Sequence, residues 1–421
     1  MIAEILATGD EIRSGALIDS NTAHIAQELE AIGVKVIRHS SVGDDVEILV
    51  SVLNEIGCRV DICVVTGGLG PTTDDLTTAA ASKAAGVELL LDQTALAAIK
   101  NIFKKRNRPL SDSNIKQAIF PIGATRMDNP VGTAPGFMLK IDKCYFFFLP
   151  GVPAEMRPML SDKVIPIINK FPGNRKVCFS NTISTFGLTE SATGERIAGL
   201  AKEFPGIKLG LRAKFPEIHI KLYAYGDDPI GLEELLSKTS DWVLEKMGKS
   251  VLSVTGDSMA SVIGDLLRRQ KSSIAVAESC TGGLVAHWLT NSPGASDYFI
   301  FSGVTYSDKA KIDLLGVLSE TIERFGAVHE ETAKEMAKGV RRIAGATYGL
   351  SISGIAGPDG GTEAKPVGTV CIGLAAPNGV EGRRFNFSFE KRSMNKVIFA
   401  ETALDLLRIK LLKAGQTEAI F

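Results

Sequence analysis

The sequence predicts an α/β protein built of three consecutive parts. Short apolar runs alternate with amphipathic stretches over residues 1–170 and again over residues 256–421, whereas residues 174–250 have a different order of elements. Strand–helix–strand alternation is typical of a mostly parallel sheet that helices cover on both faces. A chain of 421 residues is also too long for one core. We therefore expect domains at 1–171, 172–253 and 254–421.

The first part begins with three predicted strands and two helices. The runs IAEILAT (2–8), VKVIRH (34–39) and DICVVTGG (61–68) favour strands. The two stretches between them carry apolar residues at helical spacing and end at glycines. A hairpin is expected over 136–151, followed by a helix after Pro153.

The middle part has the predicted order strand, helix, strand, strand, helix, with the last helix over 231–247. This order resembles a KH-type fold. KH domains that bind RNA clamp its backbone with a G-x-x-G loop, and residues 174–250 contain none. We interpret this part as a spacer or docking module rather than an RNA-binding module.

The third part returns to the alternation of strands and helices. A helix is predicted over 258–270, then a strand at SSIAVAES and a helix at TGGLVAHWLTN. Further strands are expected at ATYGLSISG and GTVCIGLAAP, and a final helix over 394–413.

Composition excludes several classes of protein. The formal net charge of −1 argues against a general nucleic-acid or anionic-membrane binder, which would carry a basic excess. The chain has no signal-peptide pattern at its start and no run of roughly 18 apolar residues that would span a membrane. Its six cysteines are scattered and its five histidines have no metal-binding spacing. A reducing cytoplasm is therefore the expected location.

A glycine-rich loop, VVTGGLGPTTDDLT (64–77), follows a buried-looking strand and is predicted to lead into a helix. Glycines let the backbone approach a ligand closely, and a helix N-terminus favours anions. The loop lacks the G-K-[ST] of a Walker A motif. Its carboxylates, Asp74 and Asp75, would repel a bare phosphate, but a divalent metal could bridge them to one. Acidic capping of the helix is the alternative interpretation.

The segment LATGDEIRSG (6–15) repeats this pattern with another acidic pair, Asp10 and Glu11. Because parallel strands end at the same edge of a sheet, both loops should face one crevice. Four carboxylates beside a glycine-rich loop favour a metal–phosphate site.

The stretch AVAESCTGGL (275–284) places three side-chain nucleophiles where a strand turns into a helix. Backbone N–H groups at a helix start can stabilise an oxyanion and lower the pKa of a nucleophile. Ser279 is therefore a candidate nucleophile, although the spacing differs from the G-x-S-x-G elbow. Two alternatives remain open at this point: Ser279 as a helix N-cap and Cys280 as a thiolate nucleophile.

A serine nucleophile needs a base, and no histidine is placed for that role. The S-x-x-K spacing occurs at Ser113/Lys116 and Ser393/Lys396, in segments without a glycine turn, and we interpret both as chance. The segment SGVTYSDKAKIDLLG (302–316) places Tyr306 and Lys309 three residues apart after an apolar run. SISGIAGPDGG (351–361) is another strand and glycine turn, suited to a substrate phosphate.

Taken together, these stretches resemble the competence/damage-inducible protein A (CinA) family. TGDEIRSG, SVGDD, TGGLGPTTDDLT and LPGVPAEM resemble its N-terminal domain, which is related to molybdopterin-binding folds. AESCTGGL, GVTYSDKAK and GIAGPDGG with KPVGTV resemble its C-terminal nicotinamide mononucleotide (NMN) deamidase domain. The resemblance covers nearly the whole chain. It implies a three-layer α/β domain, a KH-like module and an α/β amidohydrolase domain.

The resemblance implies that the C-terminal domain hydrolyses the carboxamide of NMN to nicotinate mononucleotide and ammonia. Ser279 would be the nucleophile, Lys309 the general base and acid with a pKa lowered by burial, and Tyr306 an assisting group. Cys280 and Thr281 would begin the helix whose N–H groups hold the oxyanion. The residues that would bind this substrate are Cys280, Thr281, Gly282, Gly283, Ser353 (often threonine in the family), Gly354, Gly357 and Arg392, of which Arg392 lies in EKR where the family has G-D-R.

For the N-terminal domain the resemblance implies a metal-dependent ADP-ribose pyrophosphatase. Thr66, Gly67, Gly68 and Gly70 would bind this substrate, and the divalent metal would lie at Asp10, Glu11, Asp74 and Asp75. No cofactor is expected for the deamidase, and a homodimer is expected. A molybdopterin-binding protein and a non-enzymatic competence or DNA-damage protein are the alternative functions.

Overall fold

The N-terminal sheet has six strands in the order β2-β1-β3-β8-β7-β6. The strands of this domain are β1 (Ile2–Thr8), β2 (Lys35–Val42), β3 (Ile62–Thr66), β4 (Leu89–Leu91), β5 (Ile119–Pro121), β6 (Thr125–Met127), β7 (Gly136–Ile141) and β8 (Cys144–Leu149). β1 pairs in parallel with β2 and β3, and β3 pairs in parallel with β8. The loops after β1 and β3 therefore leave the same edge of the sheet, as the sequence predicts. β7 and β8 form the expected antiparallel hairpin.

Helices cover both faces of this sheet. They are α1 (Asp10–Arg13), α2 (Ser20–Ala31), α3 (Val46–Arg59), α4 (Thr77–Ala85), α5 (Gln93–Lys105), α6 (Asp112–Ile115), α7 (Pro153–Met159) and α8 (Ile165–Asn169). Successive strand residues point to opposite faces. In β3, Val65 packs in the cluster that holds Leu53 of α3, and Val64 packs with Ile25 of α2. The result is the expected three-layer α/β domain.

The middle module has a four-stranded sheet in the order β10-β11-β9-β12. Its strands are β9 (Val177–Thr185), β10 (Ile207–Lys214), β11 (Glu217–Gly226) and β12 (Val251–Ser253), and its helices are α9 (Glu190–Arg196), α10 (Leu200–Glu203) and α11 (Pro229–Met247). The order of the main elements is the predicted KH-like one.

The C-terminal sheet has five strands in the order β14-β13-β15-β16-β17. They are β13 (Ile274–Glu278), β14 (Phe299–Val304), β15 (Tyr348–Gly354), β16 (Thr369–Ala376) and β17 (Gly379–Asn386). β13 is central and pairs in parallel with β14 and β15, whereas β16 and β17 are antiparallel additions.

Helices again lie on both faces of the C-terminal sheet. They are α12 (Met259–Arg269), α13 (Leu284–Thr290), α14 (Asp308–Leu315), α15 (Ser319–Phe325), α16 (Glu330–Ala344) and α17 (Arg392–Glu418). In β13, Val276 packs in the cluster that holds Phe399 of α17, and Ala277 packs with Met336 of α16. The α/β class expected for this domain is confirmed.

The computed structural model describes residues 1–172, 177–387 and 389–418. Contacts between Cα atoms divide the chain into two compact units, Met1–Ser180 with Tyr223–Leu235 and Asn181–Leu222 with Leu236–Phe421. Short 3₁₀ turns lie at Lys116–Ala118, Gly248–Ser250 and Ala295–Asp297, and a π-helical turn at Leu160–Val164 follows α7. Among the described residues, no helix is both long and apolar enough to cross a membrane.

Candidate active site

Ser279 lies at the carboxyl end of β13, in a tight turn that leads towards α13. Its backbone N–H donates to the carbonyl of Ile352 on the neighbouring strand (2.9 Å), and the N–H of Gly282 donates to the Ser279 carbonyl (3.1 Å). Gly282 has a φ of 63°, a left-handed conformation that glycine adopts without strain. Ser279 is 8% exposed, so the turn shields it from most of the solvent.

A buried carboxylate caps the start of α13. Glu278 is 0% exposed and accepts hydrogen bonds from the backbone N–H groups of Gly283 (3.0 Å), Val285 (3.2 Å) and Ala286 (2.9 Å). The first N–H groups of a helix lack partners within the helix, and a negative charge beside them is favourable. Glu278 therefore fixes the orientation of the turn that carries Ser279.

The capping by Glu278 corrects one expectation about the oxyanion. Cys280 and Thr281 do not begin the helix, because α13 begins at Leu284. The N–H groups of Gly283, Val285 and Ala286 donate to Glu278 and are not available to an oxyanion. Among the described residues, the N–H groups of Cys280, Thr281 and Leu284 have no acceptor.

The amine at the Ser279 hydroxyl belongs to Lys311, a residue that the sequence analysis did not select. Its Nζ lies 3.4 Å from Ser279 Oγ and donates to the carbonyl oxygens of Thr305 and Tyr306, each at 3.1 Å. Lys311 is 1% exposed. Burial lowers the pKa of its amine, although the Asp308 carboxylate acts in the opposite direction. A lysine in this state can accept a proton from a neighbouring hydroxyl.

Lys309 does not lie at Ser279. Its side chain is 84% exposed, and its Nζ is 2.6 Å from Asp313 Oδ2. The hydrogen bond to Asp313 raises the pKa of Lys309. The prediction of a buried Lys309 with a lowered pKa is therefore wrong. Residues 309 and 311 are separated by about 200° around a helix, so burying one exposes the other.

Cys280 packs against the end of β15. A Cβ placed on Gly354 would lie 3.2 Å from its Sγ, so the absence of a side chain at Gly354 makes room for the thiol. Burial raises the pKa of the Cys280 thiol to about 12. Because the thiolate is the reactive form, this environment disfavours Cys280 as the nucleophile. Thr281 is 0% exposed, and its hydroxyl has no hydrogen-bond partner in the described part of the chain.

Tyr306 and Arg392 form a polar pair near the turn. Tyr306 is 60% exposed, and its hydroxyl accepts a hydrogen bond from Arg392 Nη2 (3.2 Å). Arg392 Nη1 donates to the carbonyl of Gly357 (2.7 Å). The structure thus brings these three predicted residues together. The Tyr306 main chain supplies one of the oxygens that bind Lys311.

Ser353 lies near the end of β15, and its hydroxyl donates to the carbonyl of Ala327 (2.7 Å). It is 1% exposed. This contact holds the loop before α16, so the predicted substrate role of Ser353 remains a prediction.

A crevice of about 530 Å³ lies at the carboxyl edge of the N-terminal sheet. The loop residues predicted to bind substrate line it: Thr66, Gly67, Gly68 and Gly70. A Cβ on Gly68, which has a φ of 65°, would collide with the Thr77 hydroxyl. Thr77 begins α4, and its backbone N–H donates to the Gly68 carbonyl (3.2 Å), so the glycine loop lies against a helix N-terminus, as expected.

Three of the four predicted metal ligands, Glu11, Asp74 and Asp75, line this crevice. Asp10 instead pairs with Arg13 (3.0 Å). Asp75 accepts hydrogen bonds from the backbone N–H (2.8 Å) and hydroxyl (2.5 Å) of Thr72.

The crevice also contains Asp44, which the sequence analysis missed. Burial raises its pKa, and the neighbouring carboxylates of Asp10, Glu11 and Asp74 act in the same direction. Among the described residues, no group of three or more His, Cys, Asp or Glu is arranged to hold a metal ion. The divalent metal therefore stays a prediction.

The fold and the site define an α/β protein in three parts whose C-terminal domain carries a buried lysine beside a serine. Three family models match: the probable molybdopterin binding domain over residues 4–170, the damage-inducible protein CinA KH domain over 180–252 and the CinA C-terminal domain over 256–411. A CinA-like protein of Desulfosudis oleivorans is 53% identical over 413 residues, which cover 98% of this chain and 100% of the relative. The chain belongs to the CinA family.

Two further proteins are similar. A Shewanella oneidensis protein named nicotinamide-nucleotide amidohydrolase PncC is 38% identical over 414 residues, which cover 98% of this chain and 96% of that protein. The crystal structure of the competence/damage inducible protein CihA from Agrobacterium tumefaciens is 36% identical, covers 37% of this chain and 96% of its own, and has a TM-score of 0.35.

Proposed function

We propose that the C-terminal domain deamidates nicotinamide mononucleotide (NMN) to nicotinate mononucleotide and ammonia. The observation that carries this proposal is the buried Lys311 amine 3.4 Å from the Ser279 hydroxyl. A serine with a neighbouring lysine of lowered pKa suits amide hydrolysis. The printed name of the Shewanella relative, nicotinamide-nucleotide amidohydrolase, supports the substrate class.

In the first step, Ser279 Oγ attacks the carboxamide carbon and its proton passes to Lys311 Nζ. The resulting oxyanion needs free donors, and Glu278 already accepts from the N–H groups of Gly283, Val285 and Ala286. We assign this task to the N–H of Thr281 in the turn. Preorganised donors of this kind are worth roughly 10²–10³ in rate.

In the second step, the C–N bond breaks, and Lys311 returns the proton to the leaving nitrogen, which departs as ammonia. Lys311, again neutral, takes a proton from a water molecule that attacks the ester carbonyl. The ester C–O bond then breaks and Lys311 returns the proton to Ser279 Oγ. The nicotinic acid product ionises to nicotinate, and its proton passes to ammonia or to solvent. No metal or organic cofactor takes part in these steps.

Ammonia release from NMN by the purified full-length chain tests the proposal. We expect one ammonia for each nicotinate mononucleotide formed, both measured in the same reaction. A chain that turns over NMN without releasing ammonia, or releases none at any substrate concentration, would contradict it. Molybdopterin binding without NMN turnover would instead support the alternative function.

A second candidate activity is the hydrolysis of ADP-ribose in the N-terminal crevice. The crevice favours it because a glycine-rich loop and the carboxylates of Glu11, Asp44, Asp74 and Asp75 share one lining of about 530 Å³. Glycines permit close approach of a pyrophosphate, and carboxylates can accept the proton of an attacking water. The homodimer and the cytoplasmic location stay predictions.

Asp74→Asn combined with Asp75→Asn should remove ADP-ribose cleavage and leave NMN deamidation within about twofold of wild type. The two carboxylates line the N-terminal crevice, while Ser279 and Lys311 lie in the C-terminal domain, so changes at sites that share no partners should act independently. Both rates are measured on the same preparation, with added Mg²⁺ and with a chelator. ADP-ribose cleavage that persists in the double variant would contradict a role of Asp74 and Asp75 in this activity. Cleavage that ignores the chelator would count against the predicted metal.

A further inference from the structure

A second lysine, Lys396, lies against the turn that carries Ser279. Its Nζ is 3.5 Å from the position that a Cβ on Gly282 would occupy. The hydrogen bond from Gly282 N–H to the Ser279 carbonyl closes a four-residue turn, in which the first and last Cα atoms are less than about 7 Å apart. The Lys396 ammonium is therefore a near neighbour of the nucleophile's turn.

A second cationic side chain lies beside Lys396 on the same helix. Arg392 is four residues earlier on α17, and side chains four residues apart lie on the same face of a helix. Among the described residues, the Arg392 guanidinium donates to two neutral oxygens, the Gly357 carbonyl and the Tyr306 hydroxyl. Within the described residues neither cation has an Asp or Glu partner. Two like charges at this spacing repel each other, and an anion bound between them would offset that repulsion.

We infer that Lys396, together with Arg392, binds the phosphate group of the mononucleotide substrate. The inference rests on the proposed function, because NMN carries its carboxamide and its phosphate at opposite ends of a ribose. With the carboxamide at Ser279, the phosphate would lie towards Gly282, where no side chain blocks it. Lys396 then determines specificity for the phosphorylated nucleotide over the nucleoside. This role does not depend on the S-x-x-K spacing that Lys396 shares with Ser393, which we interpret as chance.

Binding without turnover tests this directly. Calorimetric titration of Ser279→Ala with NMN and with nicotinamide riboside is compared with the same titrations of Ser279→Ala/Lys396→Met. The expected result is a rise in the Kd for NMN of at least about tenfold, because a hydrogen bond to a charged group is lost. The Kd for the riboside should change less than about twofold, since it has no phosphate.

Two variants serve as controls. Lys410→Met, which removes a lysine from the same helix α17, should leave both Kd values unchanged. Lys396→Arg keeps the positive charge and should restore most of the NMN affinity. An equal loss for both ligands, or no loss for either, would overturn the assignment.

Ammonia release by the wild-type chain tests the proposed function separately from the Lys396 assignment. If that chain deamidates NMN but Lys396→Met does not change the preference for NMN over the riboside, only the Lys396 assignment fails. If it releases no ammonia, the proposed function fails, and inorganic phosphate becomes the probe. Phosphate binding that is weaker in Lys396→Met then supports an anion site, and equal binding overturns it.

Discussion

Replacement of Ser279 by alanine should lower the rate of ammonia release from NMN by at least about 10³-fold. The hydroxyl is the only group of this side chain that can form the acyl intermediate. It lies at the carboxyl end of the central strand β13, beside the Lys311 amine. Because Ser279 makes a main-chain hydrogen bond to Ile352, which alanine retains, the fold should be unaffected. Steady-state rates and a melting temperature on the same preparation check both statements.

The matched control is the neighbouring residue. Cys280→Ala should keep most of the activity, because burial raises the pKa of that thiol to about 12 and leaves little thiolate. Some stability should be lost, since the thiol packs beside Gly354. If Cys280→Ala were inactive while Ser279→Ala turned over normally, the nucleophile would be the cysteine.

Replacement of Lys311 by methionine should reduce kcat by about 10²–10⁴-fold, the range for loss of a general acid–base group. Methionine keeps an unbranched apolar stem in a site that is 1% exposed, so packing is largely preserved. Lys311→Arg should also be nearly inactive, because a guanidinium cannot act as a base at neutral pH. The measurement is kcat for ammonia release, with circular dichroism to confirm folding.

Lys309→Met is the control for that experiment, on the same helix and two residues away. Its side chain is 84% exposed and pairs with Asp313, and a surface pair of this kind contributes little. Activity should therefore stay within about twofold of wild type. If Lys309→Met lost its activity while Lys311→Met turned over normally, the base would be Lys309, as the sequence suggested.

The reason that sequence reasoning did not place Lys311 beside Ser279 is geometric. Tyr306 and Lys309 are three residues apart, but the helix α14 begins only at Asp308. Tyr306 therefore lies outside the helix, and the three-residue spacing does not place the two side chains on one helix face. The useful signal was helical periodicity. Leu315, four residues after Lys311, is 2% exposed, so position 311 shares the buried face while position 309 does not.

Glu278 shows a second limit of the sequence. Its position after an apolar strand is visible in AVAESCTGGL, but the distance between the strand end and the helix start is not. The two left-handed glycines, Gly282 and Gly283, delay the helix to Leu284 and turn its N–H groups towards Glu278. An acidic residue just before a glycine turn can therefore be a cap for the helix beyond it.

The fold itself could be predicted from the pattern of apolar runs and turns in the sequence. β1 and β3 were predictable because their apolar runs are bounded by glycine loops, and β7 and β8 because two apolar runs flank a short polar turn. The contacts of the carboxylates in the N-terminal crevice were harder to predict from the sequence. Topology places Asp10 and Asp75 at one sheet edge, but their partners Arg13 and Thr72 are set by side-chain contacts that spacing does not reveal.

The dependence of kcat/KM on pH tests the Ser279–Lys311 pair most directly. Lys311 must be neutral to accept the serine proton, and burial lowers the pKa of its amine. Activity should therefore rise with pH through an apparent pKa below the ordinary lysine value of about 10.4, and this rise should be absent from the residual activity of Lys311→Met. A wild-type profile that is flat between pH 6 and the alkaline limit of stability, or that rises only near the ordinary lysine value, would contradict Lys311 as the base.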